Sequence, residues 1–187
     1  MHNINKFYYF IEELNSKEIE GLDPKISIIY RNYKAKINIK LLKEFKKTCD
    51  KQKREFYLAN FIKVAIKLKL SGVYIPSFNK LLNLKQFNIR QKFKIIGSAH
   101  NISEIRIKEK QGCKEIFVSP LFKTKKLNFF NDVIRFNNIT KDYKQKIIGL
   151  GGICEKNFSK LKLTNLIGFA SIEWIKKNRP KKIGRFF

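Results

Sequence analysis

The sequence predicts a small single-domain (β/α)8 barrel, and three observations carry that prediction. Short apolar stretches alternate with helix-like ones about eight times along 187 residues, the count at which such units close on themselves. The strand-like stretches are apolar throughout rather than at every second position, as befits a parallel sheet covered by helices. An open doubly wound sheet would place a glycine-rich fingerprint after its first strand, and FYYFIEELN contains no glycine.

Each element has a local reason. Phe7 to Ile11 forms a first strand, and Asn15 to Pro24 a polar connection with room for a helical turn. Lys25 to Tyr30 is the second strand; Asn38 to Cys49 is an amphipathic helix with Ile39, Leu42 and Phe45 on one face. Glu55 to Leu58 is the third strand, followed by a helix over Phe61 to Leu70 that buries Ile62, Ala65, Ile66 and Leu68. Gly72 to Ile75 is the fourth strand, stopped by Pro76. Leu81 to Phe87 is a short helix or an irregular cover.

The clearest unit runs from Lys94 to Lys126. KIIGSA is a strand. Asn101 or Ser103 can accept bonds from the free N–H groups of the next helix, and Glu104 suits its positive end. Ile102, Ile105 and Ile107 make its apolar side, while Lys108, Glu109 and Lys110 are expected to face water. Gln111-Gly112 closes the helix, and EIFVSP is the next strand. A helix over Phe129 to Phe136, a strand over Lys146 to Leu150, a helix over Asn157 to Leu163, a strand over Leu166 to Ala170 and a helix over Ile172 to Lys177 follow. Residues 1–175 thus form the barrel, and 176–187 a basic surface tail whose closing Phe186-Phe187 folds back onto the body.

Lys and Arg number 41 against 15 Asp and Glu, a net charge of +26. The basic residues are spread over every segment rather than gathered on one arm or helix. They read as a compositional bias that still recruits anionic small molecules. An RNA-binding protein is the alternative from another class, and its signature is affinity that falls steeply with salt. Cys49, Cys113 and Cys154 form no CxxC pair, against a zinc site or disulfide framework. No apolar run reaches membrane-spanning length, and MHNINKFYYFIEEL lacks a basic region with a cleavage site, so a cytoplasmic protein is expected.

Four stretches, IIGSAHNISEIRIKEKQGCKEIFVSPLFKTKK, ANFIKVAIKLKLSGVYIPS, IIGLGGI and IGFASI, resemble the thiamine phosphate synthase family and its thiazole tautomerase relatives, in the family's order, between about Ile28 and Ile175. The resemblance implies a (β/α)8 barrel. It also implies a reaction joining hydroxymethylpyrimidine diphosphate to thiazole phosphate, with loss of diphosphate, through a pyrimidine carbocation. Such chemistry needs cations and N–H donors around the leaving group more than it needs a base.

Carried over by position, the resemblance assigns Arg31 to the diphosphate, although the Gln and Lys that flank this arginine in the family are Ile29 and Tyr33 here, with Lys34 one step away. It assigns Ser98 to the pyrimidine side, Thr124 with Lys125 or Lys126 to the diphosphate, and the Gly151-Gly152 turn to the thiazole phosphate. The family's two acidic Mg2+ ligands, after the third and fourth strands, correspond to Asn60 and Asn79; neutral amides bind Mg2+ poorly unless the diphosphate brings it, and no metal ligand is assigned. Glu173 stands where the family often has Ser. A tautomerase-like isomerase needs no such metal and would use His100 or Glu173 as its acid or base; a non-catalytic barrel that binds a phosphate ligand is the other alternative. His100, one residue before a helix cap, reads as structural, and Cys113 and Cys154, with no histidine beside them, as bystander thiols.

Overall fold

The computed structural model describes residues 4–124 and 129–186. Eight parallel strands close into a barrel in sequence order: β1 Lys6–Ile11, β2 Ile26–Tyr30, β3 Phe56–Ala59, β4 Gly72–Ile75, β5 Lys94–Ala99, β6 Glu115–Val118, β7 Lys146–Leu150 and β8 Gly168–Ala170. Closure runs through the ladder that sets Phe7 of β1 beside Phe169 of β8. Among the described residues seven α-helices lie between and after the strands: α1 Ser16–Ile19, α2 Ile39–Lys51, α3 Ile62–Lys67, α4 Ile102–Lys110, α5 Asp132–Thr140, α6 Phe158–Leu161 and α7 Glu173–Asn178. Most are short, which is how the barrel fits so few residues.

The helix starts follow from asparagines. Asn15, Asn38 and Asn101 accept bonds from the backbone N–H of Lys17, Leu41 and Glu104, each satisfying a donor that has no partner inside the helix. Gly112 ends α4 at φ +79, a conformation that a Cβ disfavours.

Two cores result. Side chains pointing outward from the strands pack under the helices around Ile28, Phe45, Leu58, Ile116 and Phe169. Those pointing inward fill the barrel with Tyr8, Phe10, Ile29, Tyr57, Tyr74, Ile96, Phe117 and Ile148. Phe117 is the hub of this plug, with ring centroids 4.8 Å from Tyr8, 5.9 Å from Phe10 and 5.6 Å from Tyr74, all edge to face, a favoured aromatic geometry.

Ile39, expected on the packed face with Leu42 and Phe45, is 37% exposed at the start of α2, and the structure departs from the sequence reading in three further places. Helix α5 begins at Asp132 rather than Phe129, because the Asn131 amide and side chain both donate to the Pro120 carbonyl and so hold the approach to the helix against β6. In α4 the facing is different: Ile102 is exposed while Lys108 is fully buried, since Lys108 lies one turn from the buried Ile105 on the same face. The basic stretch after residue 176 is anchored. It carries the end of α7, Asp23 takes the Ile183 N–H on its carboxylate at 2.8 Å and donates its own N–H to the Pro180 carbonyl at 2.8 Å, and Ile183 is buried. Lys181, Lys182 and Arg185 remain exposed. The side chains of Phe186 and Phe187 lie outside the described residues.

Candidate functional site

The C-terminal ends of the strands bring most of the candidate residues together. This is the end of such barrels that carries chemistry. Arg31 leaves β2 with its backbone N–H on the Ile11 carbonyl of β1. Its guanidinium lies 4.6 Å from the Phe10 ring centroid, over the aromatic plug, a cation–π seat that fixes a long side chain. Tyr74 of β4 stands beside it. Burial raises the Tyr74 phenol above its usual range, opposed by hydrogen bonds to Ser98 and Arg31 and by the charge of Arg31. Arg31, Tyr74 and Ser98, from three strands, therefore form one polar cluster on an apolar floor. The sequence reading named two of them and missed Tyr74; the signal available was the spacing of two that sets Tyr8 and Phe10, or Tyr74 and Gly72, on the inner face.

The loop after β6 and the turn after β7 form a second group. Gly151 and Gly152 hold φ +93 and +69. A Cβ on Gly152 would lie 2.5 Å from the carbonyl oxygens of both Phe122 and Lys123, so only glycine lets the two loops close. Leu121 and Phe122 donate to the Leu150 and Gly151 carbonyls at 2.8 and 3.0 Å. Thr124 is thereby placed two residues from the contact with the glycine turn. Behind the turn, Asn157 donates to the Gly152 carbonyl and accepts from Cys154 N–H. Ser171, just past β8 and passed over in the sequence, donates to the Ile153 carbonyl at 3.3 Å. Among the described residues the N–H groups of Gly152 and Ile153 have no acceptor; two such donors in a left-handed turn make a seat for an anion. Lys125 and Lys126 lie outside the described residues.

The third group stands where the family's metal acids are expected. Asn60, just past β3, holds φ +67, which asparagine tolerates better than most residues. Its side-chain oxygen accepts from the Asn79 amide at 2.6 Å, and the Asn79 oxygen accepts from Leu81 N–H at 3.0 Å. Behind Asn79 is the buried Lys108. Its ammonium donates to the carbonyls of Pro76 and Asn79 and to the Gln111 side chain, each at 2.8 Å. Gln111 in turn donates to the Asn79 and Leu81 carbonyls. Magnesium takes charged oxygens in a tight octahedron. Two amides bonded to each other do not offer them, and no three His, Cys, Asp or Glu side chains come together among the described residues. The residues present do not fit a resident magnesium ion.

The remaining candidates lie outside these groups. His100 is exposed, with Nδ1 2.8 Å from the Ser119 carbonyl and its backbone N–H on the Glu104 carboxylate, a structural role at the start of α4. Glu173 is exposed at the start of α7. Burial pushes the Cys113 thiol up to about 12, away from thiolate chemistry. A cavity of about 550 Å3 opens at the other end of the barrel, lined by Lys6, Lys94, Glu115 and Lys146 near the strand starts. That end serves stability in barrels of this kind. Here Lys94 pairs with Glu55, and Tyr8 donates to Glu115.

Comparison with known proteins agrees with the fold. Residues 20–175 match the family model described as thiamine monophosphate synthase. The chain is 32% identical over 172 residues to a thiamine-phosphate synthase of Clostridium perfringens, covering 86% of this chain and 80% of that protein. It is 29% identical to the thiamine-phosphate synthase of Clostridium acetobutylicum over 135 residues, covering 71% and 64%. Among solved structures, the thiamine phosphate pyrophosphorylase of Pyrococcus furiosus superposes with a TM-score of 0.73 at 19% identity, covering 98% of this chain and 97% of that one; at that identity the likeness shows the fold alone. No helix among the described residues is long and apolar enough to cross a membrane.

Proposed function

This chain belongs to the thiamine monophosphate synthase family, and on that premise we propose that it joins a hydroxymethylpyrimidine diphosphate to a thiazole phosphate in the cytoplasm, releasing diphosphate and forming thiamine phosphate. The carbon–oxygen bond to the diphosphate breaks with its electron pair, and the thiazole nitrogen supplies the pair for the new carbon–nitrogen bond. No general base is required. What the protein must supply is fixed positive charge and N–H donors for the departing anion.

The observation that carries this reading is the presence of two anion seats at the same, C-terminal end of the barrel. Arg31, held over Phe10, is one. The Gly151-Gly152 turn, locked against the loop of Thr124, is the other. In this reading Arg31 takes the diphosphate together with Thr124, Lys125 and Lys126, and Arg31 and Lys126 stabilise its developing charge. Gly152 N–H and its neighbour hold the thiazole phosphate. Ser98, aligned by Tyr74, faces the pyrimidine, and Asn60 and Asn79 contribute amide contacts rather than metal bonds.

The test is thiamine phosphate formation by the purified protein from both substrates. Product is expected, with kcat/KM lowered about 100-fold or more in Arg31→Ala, the scale of losing one charge-stabilising donor. A protein that binds thiazole phosphate yet forms no product would move the function to an isomerase or a binding barrel.

A further inference from the structure

A side chain that the sequence places in water is the most deeply committed polar group near the site. Lys108 is 0% exposed, and all three of its N–H donors are used on neutral oxygens. Its stem passes over Gly97, where a Cβ would come within 2.9 Å of the Lys108 Cδ. Among the described residues the ion pairs are Lys46–Asp50 and Lys94–Glu55, so no carboxylate balances it at contact distance. An ammonium buried without a counter-ion is costly. Here it is held by the loop that carries Asn79, and that loop faces the candidate site across the Asn60–Asn79 bond.

We propose that the diphosphate end of this site works without a resident metal: the Asn60–Asn79 amide pair occupies the place of a divalent cation's ligands, and Lys108, as a positioning residue, fixes the Asn79 loop and supplies a buried positive charge behind it. The proposal rests on the reading of this site as a diphosphate site. The two amides are neutral, so they repel neither a diphosphate oxygen nor each other. Two carboxylates in their place would need a cation between them before a diphosphate could approach. A fixed ammonium in a low-dielectric setting acts over longer range than one in water. It also requires no reorganisation when the leaving group develops charge. Gln111 completes the support, because it bonds Lys108, Asn79 and Leu81 at once.

The experiment is calorimetric titration of the full chain with inorganic diphosphate, once in EDTA and once in millimolar Mg2+. Wild type is expected to bind in EDTA, with Mg2+ changing Kd less than about 3-fold. Asn60→Asp combined with Asn79→Asp should weaken binding in EDTA by about 10-fold or more and recover it with Mg2+. Lys108→Met should weaken diphosphate about 10-fold while leaving thiazole phosphate affinity in place, a split that a general loss of folding cannot produce. Diphosphate binding by wild type only in the presence of Mg2+ overturns the proposal and leaves the synthase reading standing. An acid pair that behaves as wild type in both buffers also overturns it. No diphosphate binding in either buffer overturns both readings together.

Discussion

The two ends of the site are built from different materials. The turn after β7 is made of backbone: two left-handed glycines, a neighbouring loop pressed to 2.5 Å of a would-be Cβ, and N–H groups without an acceptor among the described residues. The Asn60–Asn79 end is made of side chains, with Lys108 and Gln111 behind them holding the Asn79 backbone carbonyl. A backbone seat depends on little beyond glycine, so IIGLGGI still carries the family resemblance. A side-chain seat can be rebuilt residue by residue, and here it consists of two amides with a buried lysine behind them.

The contrast can be broken first at the site's shared cation. Arg31→Ala, which removes the charge over Phe10, should have the largest effect, about 100-fold or more in kcat/KM in the product assay, with little change in melting because the guanidinium is only part-buried. Gly152→Ala should come next. The added Cβ meets two carbonyl oxygens at φ +69, a strain of about 1–3 kcal/mol. Its expected reading is a rise in KM for thiazole phosphate of about 10-fold or more, with a smaller change for the diphosphate substrate. An equal rise for both substrates would mean that the two seats are not separate.

A third prediction concerns pH. Burial pushes the Lys108 ammonium down to about 8, partly opposed by the neighbouring Cys113 and Glu104. In the unfolded chain lysine titrates near 10.4. Between about 8 and 10 Lys108 by itself therefore makes stability rise with pH, by up to about 1 kcal/mol per unit, while the Cys49 and Cys113 thiols, pushed up to about 12 by burial, act in the opposite sense in the same window. Above that window Tyr8 and Tyr57, whose phenols are pushed up by burial, act in the opposite sense. Urea unfolding of wild type and Lys108→Met at three pH values from 7.5 to 9.5 reads the difference. Parallel curves would show that Lys108 does not titrate there. The smallest effect belongs to His100→Ala. Outside both seats and exposed, it should change activity less than about 3-fold and stability by about 0.5 kcal/mol or less. A larger loss would return His100 to the chemistry.

What could be read without coordinates follows the same division. The eight strands were legible because each is a short apolar run, and the cap at Asn101 because its signal is local. The glycine turn was legible for the same reason. Lys108 was not. Its partners Pro76 and Asn79 are 32 and 29 residues away, and nothing in ISEIRIKEK says that a lysine one turn from Ile105 has carbonyls waiting for it. Tyr74 was missed because its nearness to Arg31 and Ser98 arises only when β2, β4 and β5 close into the barrel. The start of α5 was misplaced because the Pro120 carbonyl, not the helix sequence, decides where Asn131 is held.

The central claim is that amides and fixed cations do at this diphosphate end what a bound metal would otherwise do. Its most direct measurement is the rate of thiamine phosphate formation in EDTA against the rate in Mg2+, for wild type and for the Asn60→Asp, Asn79→Asp double variant. Wild-type rates within about 3-fold of each other, beside a double variant that turns over only with Mg2+, are expected if the amides have replaced the metal site. Wild-type turnover abolished by EDTA and restored by Mg2+ would contradict it.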